Sequence, residues 1–237
     1  MFKALLDIVF PPLCHACKEF IPDAGDLHLC TRCRGEVHDV SSPLCTICGI
    51  PFATPGGIDH VCGACLAIHP RFAAARAAVL FDGVARDLIH RFKYDRKVHL
   101  ARPLSLLVQE ALTSFTTSLA ADLLIPVPLH RRRLRERGFN QAVLLGRTLA
   151  KAWNIPLNVD TLKRTRWTEP QVTLSAAERE ANVRGAFALA EPAAVRGRKI
   201  ILLDDVYTTG STVAECSRVL RKAGADEIYV ITVARAV

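Results

Sequence analysis

Short apolar runs alternate with longer amphipathic stretches over the second two thirds of the chain. The apolar runs predict strands at 77–81, 123–127, 200–203 and 226–234. The amphipathic stretches place apolar residues at helical spacing and predict helices at 84–94, 100–115 and 141–153. The run 200–203 is short, wholly apolar and partly β-branched, which is typical of a strand buried on both faces.

Two carboxylates, Asp204 and Asp205, directly follow this buried run, and a turn of small residues comes next. The turn consists of Thr208, Thr209, Gly210, Ser211 and Thr212. A helical pattern begins after it, so backbone N–H groups, hydroxyls and the positive end of a helix dipole favour a bound phosphate. Carboxylates beside a phosphate suit ribose hydroxyls or Mg²⁺. Helix capping by Thr or Ser is the alternative, but capping requires one hydroxyl and neither aspartate.

Eight of the nine cysteines lie before residue 66 and form four C-x-x-C pairs. The pairs are Cys14/Cys17, Cys30/Cys33, Cys45/Cys48 and Cys62/Cys65. Two such pairs can surround one tetrahedral zinc, so the nearly equal spacing predicts a duplicated unit with two structural zinc ions. Clusters of neighbouring pairs are favoured over a cross-brace that joins the first pair to the third. Disulfides are the competing explanation, and the strict pairing and an intracellular location argue against them. The ninth cysteine, Cys216, has the spacing of a buried helix position.

Charge is distributed unevenly along the chain. Residues 1–70 have a net charge of −3, whereas residues 71–237 carry 27 Lys/Arg against 16 Asp/Glu, a net charge of +11. This shift predicts two domains, a double four-cysteine zinc-binding module at 1–70 and a larger domain at 71–237. No run approaches the length of a membrane span, and the first residues lack a cleavage site. We therefore expect no membrane insertion and a cytoplasmic location.

Arginine is concentrated in two segments, predicted as loops, that could meet a polyanion. The segment 130–141 contains Arg131, Arg132, Arg133, Arg135 and Arg137. The segment 163–187 begins as a predicted mobile basic loop and ends in a short helix, with Ser175 and Glu178 at capping-box spacing. A solvated basic loop and a plain connector are the alternatives. Lys93 can face a ligand, although exposure to solvent is the default for a lysine.

The stretch LLDDVYTTGST at 202–212 resembles the signature of type I phosphoribosyltransferases. The resemblance implies an α/β fold with a mostly parallel sheet flanked by helices. It also implies that Asp204 and Asp205 hold the ribose hydroxyls of phosphoribosyl pyrophosphate (PRPP), while the turn 208–212 cradles its 5′-phosphate. A loop at the position of the first basic segment contacts pyrophosphate in that family, which implies the same role for Arg131, Arg132 and Arg133.

The order of motifs along the chain resembles the ComF family, whose members are linked to natural competence and the handling of single-stranded DNA. The matching pieces are the C-x-x-C pairs, RGFNQ at 137–141, the pattern at 164–187 and LLDDVYTTGST. The resemblance implies PRPP or a related nucleotide, with Mg²⁺, as the ligand. It also implies single-stranded DNA and DNA-uptake proteins as partners.

Two functions remain open at this point. The first is a phosphoribosyltransferase that releases pyrophosphate and joins the ribosyl carbon to a nitrogen nucleophile; no general base and no acceptor are evident. The second is a non-catalytic nucleic-acid-binding protein that uses the fold only as a ligand-sensing scaffold. In that case Trp167 or Phe139 stacks on bases while arginines contact the backbone.

Overall fold

A computed structural model describes residues 11–22, 25–54, 56–168 and 175–237. In chain order the described strands are β1 (Ala74–Leu80), β2 (Leu123–Pro126), β3 (Leu162–Arg164), β4 (Phe187–Leu189), β5 (Ile200–Tyr207) and β6 (Ile228–Arg235). The described α-helices are α1 (Thr31–Gly35), α2 (Gly63–Ile68), α3 (Gly83–Tyr94), α4 (Ala101–Ser118), α5 (Arg131–Arg137), α6 (Gln141–Trp153), α7 (Ala176–Val183) and α8 (Ser211–Lys222). Short 3₁₀ turns cover Val98–Leu100 and Pro192–Val195.

The main sheet is parallel throughout, with the strand order β1-β6-β5-β2. All four residues predicted as a strand buried on both faces, 200–203, are fully buried. β1 begins earlier than the predicted 77–81, because Ala74 and Ala75 pair with Tyr229 and Val230 of β6. Such long-range pairing overrides the weak strand propensity of alanine.

Helices cover both faces of the sheet. Ile201 and Leu203 of β5 belong to a hydrophobic cluster with α3, α4 and α6, whereas Ile200 and Leu202 belong to a cluster with α8. Successive strand residues point to opposite faces, so β5 contributes to both layers of the core. Cys216 of α8 is fully buried in the second cluster, as its spacing predicts. The predicted fold class, a mostly parallel sheet flanked by helices, is confirmed.

The N-terminal part contains two groups of four cysteines. The first cysteine group is Cys14, Cys17, Cys30 and Cys33. The second cysteine group is Cys45, Cys48, Cys62 and Cys65. Each group combines two neighbouring pairs, which confirms the predicted sequential clusters and rules out the cross-brace.

The N-terminal part also covers the outer edge of β1. Leu80 N donates to His38 O at 2.8 Å, and Ala75 N donates to Ile47 O at 2.6 Å. These bonds satisfy backbone groups that an edge strand would otherwise leave open to another chain. The division into domains at 1–70 and 71–237 stays a prediction.

The basic segment at 130–141 is not a loop, and that prediction is wrong. Residues Arg131–Arg137 form helix α5, and the His130 ring accepts a hydrogen bond from Arg132 N at 3.2 Å. Arginine and glutamate are good helix formers, and Arg132 pairs with Glu136 at 3.0 Å one turn later. The high charge of the segment led to the loop prediction, although its residues favour a helix.

The second basic segment contributes a small antiparallel sheet of β3 and β4, and α7, which lies between these strands in sequence, contacts α8. The predicted capping box at the start of α7 is confirmed, because Ser175 and Glu178 exchange backbone-to-side-chain hydrogen bonds of 2.7 and 3.4 Å. The predicted mobile loop falls partly on residues 169–174, which lie outside the described residues. Among the described residues, no helix is both long enough and apolar enough to span a bilayer.

Candidate functional site

A cavity of about 840 Å³ opens at the carboxyl ends of β5 and β2. Of the predicted ligand-binding residues, its lining includes Asp204, Asp205, Thr208, Gly210, Thr212, Arg132 and Arg133. Thr209 and Ser211 lie in the same turn, with their hydroxyls 2.8 Å apart. Arg131 is exposed at the start of α5 and does not line the cavity. Thus residues far apart in sequence meet at the edge of a parallel sheet where α/β proteins place their ligands.

The two aspartates share the cavity with a lysine from α3. Lys93 Nζ lies 2.8 Å from Asp205 Oδ1, and both side chains are less than one-fifth exposed. Lys93 therefore faces the site instead of solvent. Burial, followed by the negative charge of Asp205, raises the pKa of Asp204 to about 7, while Lys93 acts in the opposite direction. Ionisation of Asp204 therefore stays unfavourable despite Lys93, and a further cation beside the two aspartates would favour it.

The turn after β5 depends on a glycine in the left-handed region. Gly210 has φ +80° and is the N-cap of α8, so it aligns the turn with the first N–H groups of the helix. A side chain at this position would collide with the Tyr207 hydroxyl. Because the first turn of a helix leaves several N–H groups without intrahelical partners, this arrangement can bind an anion.

Arginines and aromatic rings also line the cavity. The guanidinium carbons of Arg132 and Arg133 lie 4.6 and 5.3 Å from the ring centroid of Trp167. Arg137 lies 5.3 Å from the Tyr94 ring. By contrast, Phe139 packs on Phe92 in the core with ring centroids 5.6 Å apart, which makes it a packing residue. Of the two rings considered for stacking, Trp167 lines the cavity and Phe139 does not.

Two residues that line the cavity carry buried, unpaired donors. Gln141 Oε1 accepts from Arg137 Nη1 at 2.8 Å, and within the described chain Gln141 Nε2 has no partner. Arg164 Nε is likewise buried without a partner there, although its Nη2 donates to Thr168. Burial, then the charge of Arg133, lowers the pKa of Arg164. Unpaired buried donors are costly, which suits a cavity that takes a ligand rich in acceptors.

The two cysteine groups fit tetrahedral zinc. All four thiols of each group lie within 4.8 Å of one another. Cys17 and Cys30 Sγ are 3.7 Å apart, and Cys48 and Cys62 Sγ are 3.8 Å apart. Zinc–sulfur bonds of ~2.3 Å separate tetrahedral ligands by about 3.8 Å. None of the nine cysteines forms a disulfide.

One thiol in each group is prepared to ionise. Burial opposes ionisation of Cys14, but backbone N–H donors, first that of Cys30, outweigh it and lower the pKa to about 6. Burial opposes ionisation of Cys45 in the same way, and the N–H groups of Cys62 and Cys48 lower its pKa to about 6. Metal-binding thiols must lose their protons, so these donors favour zinc binding.

Comparisons with known proteins agree with this arrangement. Residues 5–66 match the family described as a double zinc ribbon domain. The chain is 36% identical to Competence protein F of Haemophilus influenzae over 87% of this chain and 96% of the relative. It is 36% identical to the DNA utilization protein YhgH of Escherichia coli K12 over 94% of this chain and 96% of the relative. The protein is therefore of the class that joins a double zinc ribbon to a parallel α/β domain. It belongs to the ComF family.

Solved structures with partial similarity include phosphoribosyltransferases. Adenine phosphoribosyltransferase from Saccharomyces cerevisiae is 16% identical, with a TM-score of 0.37 over 58% of this chain and 71% of that chain. Glutamine PRPP amidotransferase from B. subtilis is 22% identical, with a TM-score of 0.38 over 61% of this chain and 30% of that chain. The family assignment depends on the curated relatives alone.

Proposed function

We propose that the cavity binds PRPP together with Mg²⁺. The observation that carries the proposal is the meeting of three elements in one cavity: an acidic pair, a glycine-dependent turn at a helix N-terminus, and arginines. Phosphates, ribose hydroxyls and a divalent cation together require these three kinds of partner.

Each element has a distinct role in this proposal. The turn 208–212 binds the 5′-phosphate through backbone N–H groups and hydroxyls. Asp204 and Asp205 accept hydrogen bonds from the ribose hydroxyls and supply oxygen ligands to Mg²⁺, which would neutralise charge on the diphosphate. Arg132 and Arg133 bind the diphosphate, because guanidinium groups form paired hydrogen bonds with phosphate oxygens.

The same cavity suits transfer of the phosphoribosyl group. Departure of pyrophosphate from C1 places positive charge on the ribose and negative charge on the leaving group. The arginines facing the diphosphate stabilise the leaving charge, and the carboxylates of Asp204 and Asp205 stabilise the ribosyl cation. A nitrogen nucleophile then forms the new bond to C1. Release of pyrophosphate from PRPP, measured with and without single-stranded DNA, distinguishes transfer from simple binding.

Calorimetry with PRPP and Mg²⁺ tests the binding proposal. The double substitution Asp204→Asn and Asp205→Asn keeps the side-chain shapes but removes the charge that attracts Mg²⁺, so we expect binding to be lost. The matched control is Asp160→Asn, since Asp160 is 87% exposed and pairs locally with Lys163. The control should bind like the wild type. Undetectable binding by the wild type would remove the proposal.

We also propose single-stranded DNA as a partner, by itself or together with PRPP. The supporting observation is the cluster of Trp167 with Arg132 and Arg133 at the cavity wall, because bases stack on aromatic and guanidinium planes. The net charge of +11 on residues 71–237 favours a polyanion. DNA-uptake proteins as further partners, and a cytoplasmic location, also remain proposals; free thiols suit that compartment.

Salt dependence separates the two kinds of DNA contact. Replacing Arg131, Arg132 and Arg133 with Ala should weaken the dependence of affinity on salt. Each phosphate contact on a single strand contributes about −0.7 to the slope of log affinity against log salt concentration. Trp167→Ala should instead weaken binding at every salt concentration by roughly 1–3 kcal/mol. Fluorescence anisotropy with a labelled oligonucleotide measures both effects. Salt-insensitive binding, or none at low ionic strength, would eliminate the DNA role.

A further inference from the structure

The last residue of β6 connects the second cysteine group to the main sheet. Arg235 is 5% exposed, and its Nη1 donates to Cys48 O at 2.7 Å. Its Nη2 lies 3.5 Å from Cys48 Sγ. A buried guanidinium requires compensating negative charge, and a zinc-bound thiolate provides it. The zinc ribbon and the end of β6 are therefore linked by a charged contact inside the protein.

The same guanidinium fixes an aromatic ring next to the candidate site. The guanidinium carbon of Arg235 lies 4.2 Å from the ring centroid of Tyr207. Tyr207 is 7% exposed, and the Phe72 ring packs edge-on against its ring with the two centroids 6.4 Å apart. A cation over an aromatic face is attracted to it most strongly where water is excluded. Tyr207 is thus held by Arg235 and by a residue just before β1.

Tyr207 in turn supports the turn 208–212. Its hydroxyl occupies the space where a side chain on Gly210 would lie. Gly210 is the N-cap of α8, so its position determines where the first N–H groups of that helix point. Displacement of the phenol would leave this part of the turn without its support.

We propose that the second zinc site positions the phosphate-binding turn through Cys48, Arg235, Tyr207 and Gly210. This inference rests on the proposed function in assigning a phosphate to the turn. Arg235 is a positioning residue, because it acts through Tyr207. Coupling between two sites is reciprocal. If zinc at the second site raises the affinity of the turn for its ligand by some factor, the ligand must raise the zinc affinity of that site by the same factor.

Equilibrium competition for zinc with a chromogenic chelator, at constant Mg²⁺, tests the coupling in the full chain loaded with two zinc ions. PRPP should strengthen retention of one zinc ion by about 5-fold or more, the low end of typical coupling. The other zinc ion is the internal reference. Cys17→Ser, which lacks a ligand of the first site, should still show the effect of PRPP on its remaining zinc.

Substitutions at Arg235 show whether the contact carries the coupling. Arg235→Met retains much of the volume without the charge and should hold two zinc ions whose retention no longer responds to PRPP. Arg235→Lys keeps the positive charge but not the planar guanidinium, and it should recover part of the response of zinc binding to PRPP. An unchanged response in Arg235→Met, or no response in a wild type that binds PRPP, would overturn the coupling.

A ligand-free measurement keeps the coupling separate from the proposed function. If the wild type binds no PRPP, the proposed function fails while the positioning role is still tested by amide hydrogen exchange. In Arg235→Met the amides of 208–212 should exchange several-fold faster than in the wild type, whereas those of β2 should not change. Unchanged exchange in the turn would refute the positioning role directly.

Discussion

Replacing Asp204 by Asn should stabilise the ligand-free protein at neutral and alkaline pH. The Asp204 pKa is raised from 3.8 to about 7, first by burial and then by the charge of Asp205. The folded state therefore holds a proton that the unfolded chain releases near pH 4. This proton stabilises the folded state fully below about pH 4, and that stabilisation is lost as pH rises through about 7. Asparagine does not titrate and avoids this loss.

The size of the effect follows from the pKa difference. One pKa unit corresponds to about 1.4 kcal/mol, so a shift of about three units sets an upper limit of about 4 kcal/mol. The cavity is open to solvent and Lys93 partly neutralises the site, so the realised gain should be smaller, about 1–3 kcal/mol. The hydrogen bond from Asp205 N to Asp204 Oδ1 can persist, because asparagine retains that oxygen.

Chemical denaturation at pH 4, 6 and 8, without Mg²⁺ or ligand, measures the difference. The two proteins should be similar in stability at pH 4, and Asp204→Asn should become the more stable as pH rises. Asp160→Asn is the control. Replacing this exposed aspartate should leave the free energy of unfolding within about 0.5 kcal/mol of wild type. A variant less stable than wild type at pH 8 would refute the destabilising effect of an ionised carboxylate at position 204.

Three further results are expected. Metal analysis of protein made without chelator should give close to two zinc ions, and Cys17→Ser and Cys48→Ser should each give close to one; a value near zero with quantitative disulfides would contradict the zinc sites. Removing the metal should unfold residues 1–70 first, so the Ala75 and Leu80 amides, which donate to that part, should lose hydrogen-exchange protection before the amides of β5. Gly210→Ala should cost about 1–2 kcal/mol in denaturation and lower PRPP affinity at least about tenfold in calorimetry. Its control, Gly197→Ala, has a similar φ of +67° with open space around it and should leave affinity unchanged.

Local patterns predicted the parts of the site that lie together in sequence. The apolar residues 200–203, the aspartates after them and the turn 208–212 form one strand–turn–helix unit whose backbone is decided within about a dozen residues. The cysteine groups were predictable for the same reason, since the ligands come in pairs three positions apart. In both cases the chemistry is encoded by short spacing.

Long-range contacts account for what the sequence did not predict. The pairing of Lys93 with Asp205 depends on how α3 docks beside β5, which no local pattern specifies. Gln141 became notable only because its amide is buried and half-satisfied at the cavity. The contact between Arg235 and Cys48 joins residues 187 positions apart. The segment 131–137 shows a different failure, in which a run of arginines suggested a loop although its helix propensity is high.

We propose that one cavity binds the phosphate, ribose and diphosphate of PRPP. A crystal structure of the full chain grown with PRPP and Mg²⁺ tests it most directly. The 5′-phosphate should lie within the turn 208–212, the ribose hydroxyls on Asp204 and Asp205, and the diphosphate facing Arg132 and Arg133. Ligand bound elsewhere, or a cavity that stays empty at millimolar PRPP, would contradict it.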